Sequence, residues 1–278
     1  MRLSLSELSS AVRELVEPSS TDVVLFHTEI IRMGIPAGVS PRDALHTYSE
    51  MLESACGSRV LVFPTFNYDF CRTGIYDVSA DPCQVGALND HYRMHRARAR
   101  TLTPVFNFCS SSDSIPISIP SDNPFDESST FAELRRRGAQ IVFFGAPFSS
   151  NTFLHHVEED ANVGYRYIKP FPGVIRSANE SRAITLRYRV RPLDDSVVYD
   201  WKRLEEDLRS RGILRSRAVG NATLLACGAE DLFRYWRERL GEDELWLLTA
   251  ESRRAVQRLA ASVGYPFRYE KLEPADIL

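Results

Sequence analysis

The segment I-V-F-F-G-A-P-F-S-S-N-T-F-L-H-H-V-E-E-D, Ile141 to Asp160, reads as a buried strand, a turn and a helix start. Ile141 to Phe144 is a short apolar run, and Gly145-Ala-Pro147 is a turn signal. Ser149, Ser150 and Asn151 can each cap a helix, because their side-chain oxygens accept unpaired amides of the first turn. His155 and Glu158 lie three apart, so a helix puts them on one face. A carboxylate beside an imidazole fixes its tautomer and raises its basicity, which a general base requires. The same spacing also arises in solvated surface pairs. Glu158, Glu159 and Asp160 crowd a helix end, where the dipole disfavours negative charge. Local rule-breaking of that kind is expected more often at functional sites. His155 and His156 are adjacent and point to different faces, and neither H-E-x-x-H nor C-x-x-C occurs, so no metal site is expected.

Outward from this segment, the pattern alternates between strands and helices. Leu3 to Val16 has apolar residues at helical spacing, and Asp22 to Phe26 reads as a buried strand ending at His27. Ser40-Pro41 predicts a helix start, running to about Glu53, and Arg59 to Phe63 predicts a second buried strand. Phe125 to Gly138 predicts a helix stopped by its glycine. Arg182 to Pro192 alternates as an exposed strand does, and Trp201 to Arg211, Ala229 to Leu240 and Glu251 to Val263 read as helices. The stretch from Asn67 to Pro124 shows little periodicity, and long loops inside a domain are usually functional. Strand–helix alternation implies an α/β or layered α/β/α fold.

Composition sets the outer bounds. The chain has 278 residues, 44% of them hydrophobic, which is enough for a full core. Its 34 Lys and Arg against 37 Asp and Glu argue against a dedicated nucleic-acid binder. The amphipathic N-terminus lacks a signal-peptide core, and no long apolar run exists, so a cytoplasmic protein without a membrane partner is expected. Five widely spaced cysteines read as reduced thiols rather than a disulfide frame. The segment His91 to Pro104 carries Arg93, Arg96, Arg98 and Arg100, which read either as a solvated basic surface or as donors to phosphate.

In their order and spacing, several blocks together resemble the aminoglycoside 3-N-acetyltransferase type of antibiotic N-acetyltransferase, over roughly residues 5 to 250. Asp22 to Thr28 looks like the family's strand ending in His-Ser, and Val60 to Phe66 is similar to its Pro-Thr-Phe block. Asp81 to Leu88 resembles Pro-x-x-x-Gly-x-Leu, Arg100 to Asn107 resembles Arg-Ser-x-His-Pro-x-x-Ser, and Val219 to Ala222 resembles a late Val-Gly-x-Ala. Asn151 to Glu158 matches Asn-Thr-x-x-His-x-x-Glu.

This resemblance implies a layered α/β/α fold with a mixed central sheet, a single catalytic domain over 1–250 and a C-terminal helical extension over 251–278. It implies acetyl-CoA as acyl donor and the amine of an amino sugar or aminoglycoside-like molecule as acceptor. His155 would be the base, oriented by Glu158. The acyl-CoA cleft would be lined by His27, Thr28, Thr65, Phe66, Val85, Gly86, Arg100 and Thr101. His27 reads equally well as a satisfied structural histidine. Asn151 and Thr152 read as caps first and cofactor contacts second. Thr103 and Asn107 stand where the family has His and Ser, and Phe153 and His156 where smaller or aliphatic side chains are common. A polycationic aminoglycoside calls for an acidic pocket, and the chain has no acidic block beyond Glu158-Glu159-Asp160, so an amino sugar from another pathway is an equal expectation. Two further readings stay open: a cysteine-dependent enzyme using Cys71 or Cys109 with His155, and a non-catalytic relative that binds CoA or a sugar. A homodimer is compatible with the sequence.

Overall fold

Three apolar runs form the centre of the molecule and are buried on both faces, as strands of a covered parallel sheet are. The computed structural model describes residues 4–17, 20–115, 121–178, 180–192, 197–220 and 222–273. Leu3, Asn221 and 274–278, which fall within predicted blocks, lie outside them.

In chain order the elements are α1 (Leu5–Val16), β1 (Val23–Thr28), α2 (Ile30–Met33), α3 (Ala44–Cys56), β2 (Val60–Pro64), α4 (Phe70–Thr73) and β3 (Ile75–Asp77). Then come α5 (Ala87–His95), β4 (Ala99–Arg100), β5 (Phe108–Ser110), α6 (Thr130–Arg136), β6 (Gln140–Phe144), a 3-10 turn (Phe148–Ser150) and α7 (Leu154–Asp160). The remainder is β7 (Tyr167–Arg176), β8 (Ser181–Val190), α8 (Trp201–Ser210), β9 (Arg215–Val219), β10 (Ala222–Gly228), α9 (Ala229–Glu242), α10 (Ala250–Val263) and α11 (Tyr269–Leu272).

The main sheet has seven strands in the order β4-β5-β2-β1-β6-β10-β9. β1 runs parallel to β2 and β6, with Leu25 opposite Val62 on one side and Ile141 on the other. The outer strands pair antiparallel, so the sheet is mixed. Side chains alternate across it. Val23, Leu25, Val62, Ile141 and Phe143 enter one core with α6, α7, α8 and α9. Val24, Phe26, Leu61, Phe63, Val142 and Phe144 enter the other with α1, α3 and α5. This is the expected layered α/β/α architecture. A second sheet, β3-β7-β8, packs on the first of these cores. α10 and α11 add Val256, Leu259, Val263, Tyr269 and Leu272 to that same core.

Some expectations shift. The helix predicted from Ser40 begins at Ala44, because Ser40 and Asp43 close a turn instead, with the Ser40 hydroxyl donating to Asp43 Oδ2 at 2.7 Å. The helix predicted from Phe125 begins at Thr130, because Asn123 and Asp126 bind the backbone amides of Phe125 and Ser128. The described part of the stretch from Asn67 to Pro124, which leaves out 116–120, contains two helices and three strands rather than one long loop. Those elements are too short to show a period. β7, β9 and β10 had no clear signature in the sequence.

Ser129 caps α6, accepting from the Ala132 amide at 3.2 Å. Ser129→Ala is expected to cost about 1 kcal/mol, read as a lower urea midpoint at unchanged slope. An unchanged midpoint would mean that the cap adds nothing to α6.

Candidate active site

β1 sits between β2, which follows it, and β6, which comes later, so the chain leaves β1 on opposite sides. Crevices at the carboxyl ends of parallel strands open at such a switch point. Here a cleft of about 690 Å³ lies there. Its floor is His27 and Thr28 from the end of β1, with Pro64 and Phe66 from the end of β2. The start of α5 adds Val85, Gly86 and Asn89, and the turn after β6 adds Ser149 to Thr152. His155, Tyr199 and Trp201 complete one wall.

Thr28 donates to Asn89 Oδ1 at 2.7 Å, and Asn89 Nδ2 donates to the carbonyls of Pro64 at 2.9 Å and Val85 at 3.0 Å. One side chain thus ties three wall segments together. Gly86 closes this corner at φ +79°, and a Cβ there would lie 3.0 Å from both the carbonyl and the hydroxyl oxygen of Thr28. Only glycine meets both demands without strain.

His155 projects from α7 with its Nδ1 2.7 Å from Glu158 Oε2. Glu158 is 1% exposed and takes three more bonds. Arg166 Nη1 donates to the same oxygen at 2.7 Å, and the hydroxyls of Tyr165 and Tyr199 donate to Oε1 at 2.7 Å. Burial alone would raise the Glu158 pKa, but Arg166, His155 and Tyr199 outweigh it and hold the carboxyl down to about 2. The ionised Glu158 accepts only, which favours the tautomer with the proton on Nδ1 and the lone pair on Nε2, although Arg166 Nη1, which only donates, lies 2.7 Å from the same Nδ1. No described side chain bonds Nε2, and the ring keeps 23% of its side-chain exposure at the cleft. Burial lowers the His155 pKa, and the Arg166 guanidinium, 2.7 Å from Nδ1, lowers it further against the pull of Glu158. The imidazole is therefore held neutral and oriented near neutral pH, the state in which it can take a proton.

The acidic crowding on α7 also resolves. Glu158 faces Arg166, Glu159 lies 3.3 Å from Arg189, and Asp160 accepts from Arg237 at 2.6 Å. His156 is fully buried and bonds the Phe125 carbonyl through Nδ1 at 2.6 Å, so it anchors α7 to the loop before α6. Phe153 is fully buried against Phe131.

Of the remaining residues expected at the cleft, His27, Thr28, Phe66, Val85 and Gly86 line it, whereas Thr65, Arg100 and Thr101 stand behind its wall. Thr65 donates to Asn107 Oδ1 at 2.6 Å. Arg100 reaches Asn107 Oδ1 at 3.0 Å and the backbone carbonyls of Thr65, Val78 and Asp81. Thr101 accepts from the Phe108 amide at 2.9 Å. These are scaffold bonds. Asn107, where the family pattern has Ser, supplies the acceptor they share. His27, read from sequence as either a structural or a cleft residue, lines the cleft. It stacks on Phe143, its Nε2 is buried without a partner, and burial pushes its pKa down to about 4. Asn151 ends the 3-10 turn through its backbone and does not cap α7. It is 2% exposed, α7 begins at Leu154 without a side-chain cap bond, and both amide atoms of Asn151 are buried without a partner at the cleft. Arg93 and Arg96 are paired with Asp90 and Glu53. Arg166, Tyr165, Tyr199 and Asn89 were missed from the sequence, since each acts through a partner that no local spacing reveals.

Cys71 and Cys109 do not suit a nucleophile, because burial raises both thiol pKa values and neither has a hydrogen bond to His155. Among the described residues, no group of three metal-ligating side chains comes together, and no helix is long and apolar enough to cross a membrane.

The sequence profile of the aminoglycoside 3-N-acetyltransferase family matches residues 25–241, and the chain belongs to that family. It is an acyltransferase. Among solved structures it is similar to the aminoglycoside acetyltransferase AAC(3)-IVa apoenzyme, with TM-score 0.69 and 19% identity over 93% of this chain and 98% of that one. AAC-IIIb in binary complex with CoASH gives 0.70 and 15% over 87% and 97%, and YokD from Bacillus subtilis gives 0.68 and 12% over 88% and 95%. No curated protein matches the sequence.

Two measurements test the charge network. Arg166→Gln is expected to move the acid limb of the pH–rate profile to higher pH, since the guanidinium opposes protonation of His155; a limb that stays in place would remove Arg166 from that role. Glu158, depressed from 4.5 to about 2, adds stability that is fully present above pH 4.5 and is lost as pH falls through about 2. Glu158→Gln should flatten the stability curve in that window, followed by circular dichroism.

Proposed function

We propose that the protein transfers the acetyl group of acetyl-CoA to an amine, with His155 as general base and Glu158 holding it. The observation that carries this reading is the His155 ring at the cleft, with Nδ1 2.7 Å from the buried Glu158 carboxylate and Nε2 bonded by no described side chain. The acceptor nitrogen attacks the thioester carbonyl while Nε2 takes a proton from it. The N–C bond forms, the C–S bond breaks, and the departing thiolate takes up the proton as coenzyme A. Glu158 stabilises the transient imidazolium, and no covalent enzyme intermediate is needed.

The cleft wall carries the hydroxyls of Ser149, Ser150 and Thr152, groups that suit the amides of the pantetheine arm. His27, Thr28, Phe66, Val85 and Gly86 contact the donor, while Thr65, Arg100 and Thr101 hold the wall from behind. The acceptor class carried over from the family is the amine of an amino sugar or aminoglycoside-like molecule.

His155→Ala should lower kcat by roughly a hundredfold or more, followed as thiol release from acetyl-CoA, with acetyl-CoA affinity retained. Turnover within threefold of the wild type would refute the base assignment. Glu158→Gln should cost less than His155→Ala, and a larger loss would make Glu158 itself the base or a structural linchpin.

A further inference from the structure

The cleft has two unlike sides. The side chains assigned to the donor, His27, Thr28, Phe66, Val85 and Gly86, lie on its floor and at the start of α5. The wall that carries His155 is aromatic, with Tyr199 and Trp201 beside the base. Tyr199 lies 6.2 Å from His155 between ring centres, and Trp201 lies 5.3 Å beyond Tyr199, inclined to it at 61°. Both rings are fixed in place. The Tyr199 hydroxyl donates to Glu158 Oε1 and accepts from Arg166 Nη1, each at 2.7 Å. Phe148 packs on Trp201 at 5.9 Å, nearly perpendicular to it. Trp201 stays only partly buried and lines the cleft.

The charges at the cleft suit a cation. No lysine or arginine lines it. Its one lining carboxylate, Glu29, is in an exposed pair with Arg32, a weak bond that leaves Glu29 attractive to a second cation. The face of an aromatic ring is the negative part of its quadrupole, so it draws a protonated amine, and indole draws one most strongly. An acceptor with several amines gives one proton to His155 and keeps the others charged. The Tyr199–Trp201 corner is the cleft surface next to the base, on the side the donor leaves open.

We infer that Tyr199 and Trp201 bind, through their ring faces, a protonated amine of the acceptor other than the one acetylated, which makes Trp201 a determinant of specificity for polyamino acceptors. This rests on the transferase reading. Its test measures acetyl-CoA affinity by calorimetry, and kcat and KM by thiol release with apramycin, for the wild type, Trp201→Leu and Trp201→Phe. In Trp201→Leu the apramycin KM should rise roughly five- to tenfold, with the loss in KM rather than in kcat and with acetyl-CoA affinity retained. Trp201→Phe, which keeps an aromatic face, should recover most of that loss. An apramycin KM within about twofold of the wild type in Trp201→Leu would overturn the inference. A second measurement uses the wild-type chain labelled with 5,7-difluorotryptophan, which keeps the indole shape and weakens its negative face. Of the other two tryptophans, neither Trp236 nor Trp246 lines the cleft. The labelled protein should show an apramycin KM raised roughly threefold or more. An unchanged KM would overturn the inference in favour of apolar stacking, even where Trp201→Leu fails to fold. Acetyl-CoA binding without thiol release from apramycin would overturn the inference and leave the donor site standing. Absence of acetyl-CoA binding by the wild type would overturn the transferase reading itself, and the inference with it.

Discussion

The site depends on keeping one buried carboxylate ionised. Glu158 is sealed from water, so its charge is tolerated only because Arg166, His155, Tyr165 and Tyr199 all point at its two oxygens. These partners come from α7, from the two residues before β7 and from the segment before α8. The network therefore ties the residues that lead into the second sheet to α7 and places a guanidinium beside the His155 ring. Removing one partner from a buried ion pair leaves an uncompensated charge, a loss of about 3–5 kcal/mol in comparable cases.

The cleft follows from the sheet. β1 has its successor β2 on one side and β6 on the other, and their loops diverge at the carboxyl ends. Asn89 prevents that divergence from becoming slack by bonding three of the segments at once. Behind them Arg100 and Asn107 fix Thr65 and the loops at Val78 and Asp81.

Much of this was legible from the residues. The runs at Val23, Val60 and Ile141 are apolar on both faces, which fits strands covered by helices on either side. His155 and Glu158 were legible because a helix makes neighbours of residues three apart. Arg166 was not, because a lone arginine among Tyr165 and Tyr167 has no period, and its worth comes from residues up to 33 positions away. Asn89 and Thr28 are 61 positions apart, beyond any local pattern. Asn151 looked like a helix cap because cap residues and cleft amides are the same residue type; the 3-10 turn at Phe148–Ser150 moves the helix start past it. The strands β3, β4 and β5, each of two or three residues, are too short for any alternation to register.

The most direct test of the central claim is the nitrogen-15 NMR titration of His155 in the full-length protein, assigned by comparison with His155→Ala. A neutral ring with its proton on Nδ1, an unprotonated Nε2 and a midpoint below the ordinary histidine value of 6.5 is the predicted result. A proton on Nε2 with Nδ1 bare, or a midpoint above 6.5, would contradict it, because the nitrogen facing the cleft would then hold no free lone pair near neutral pH.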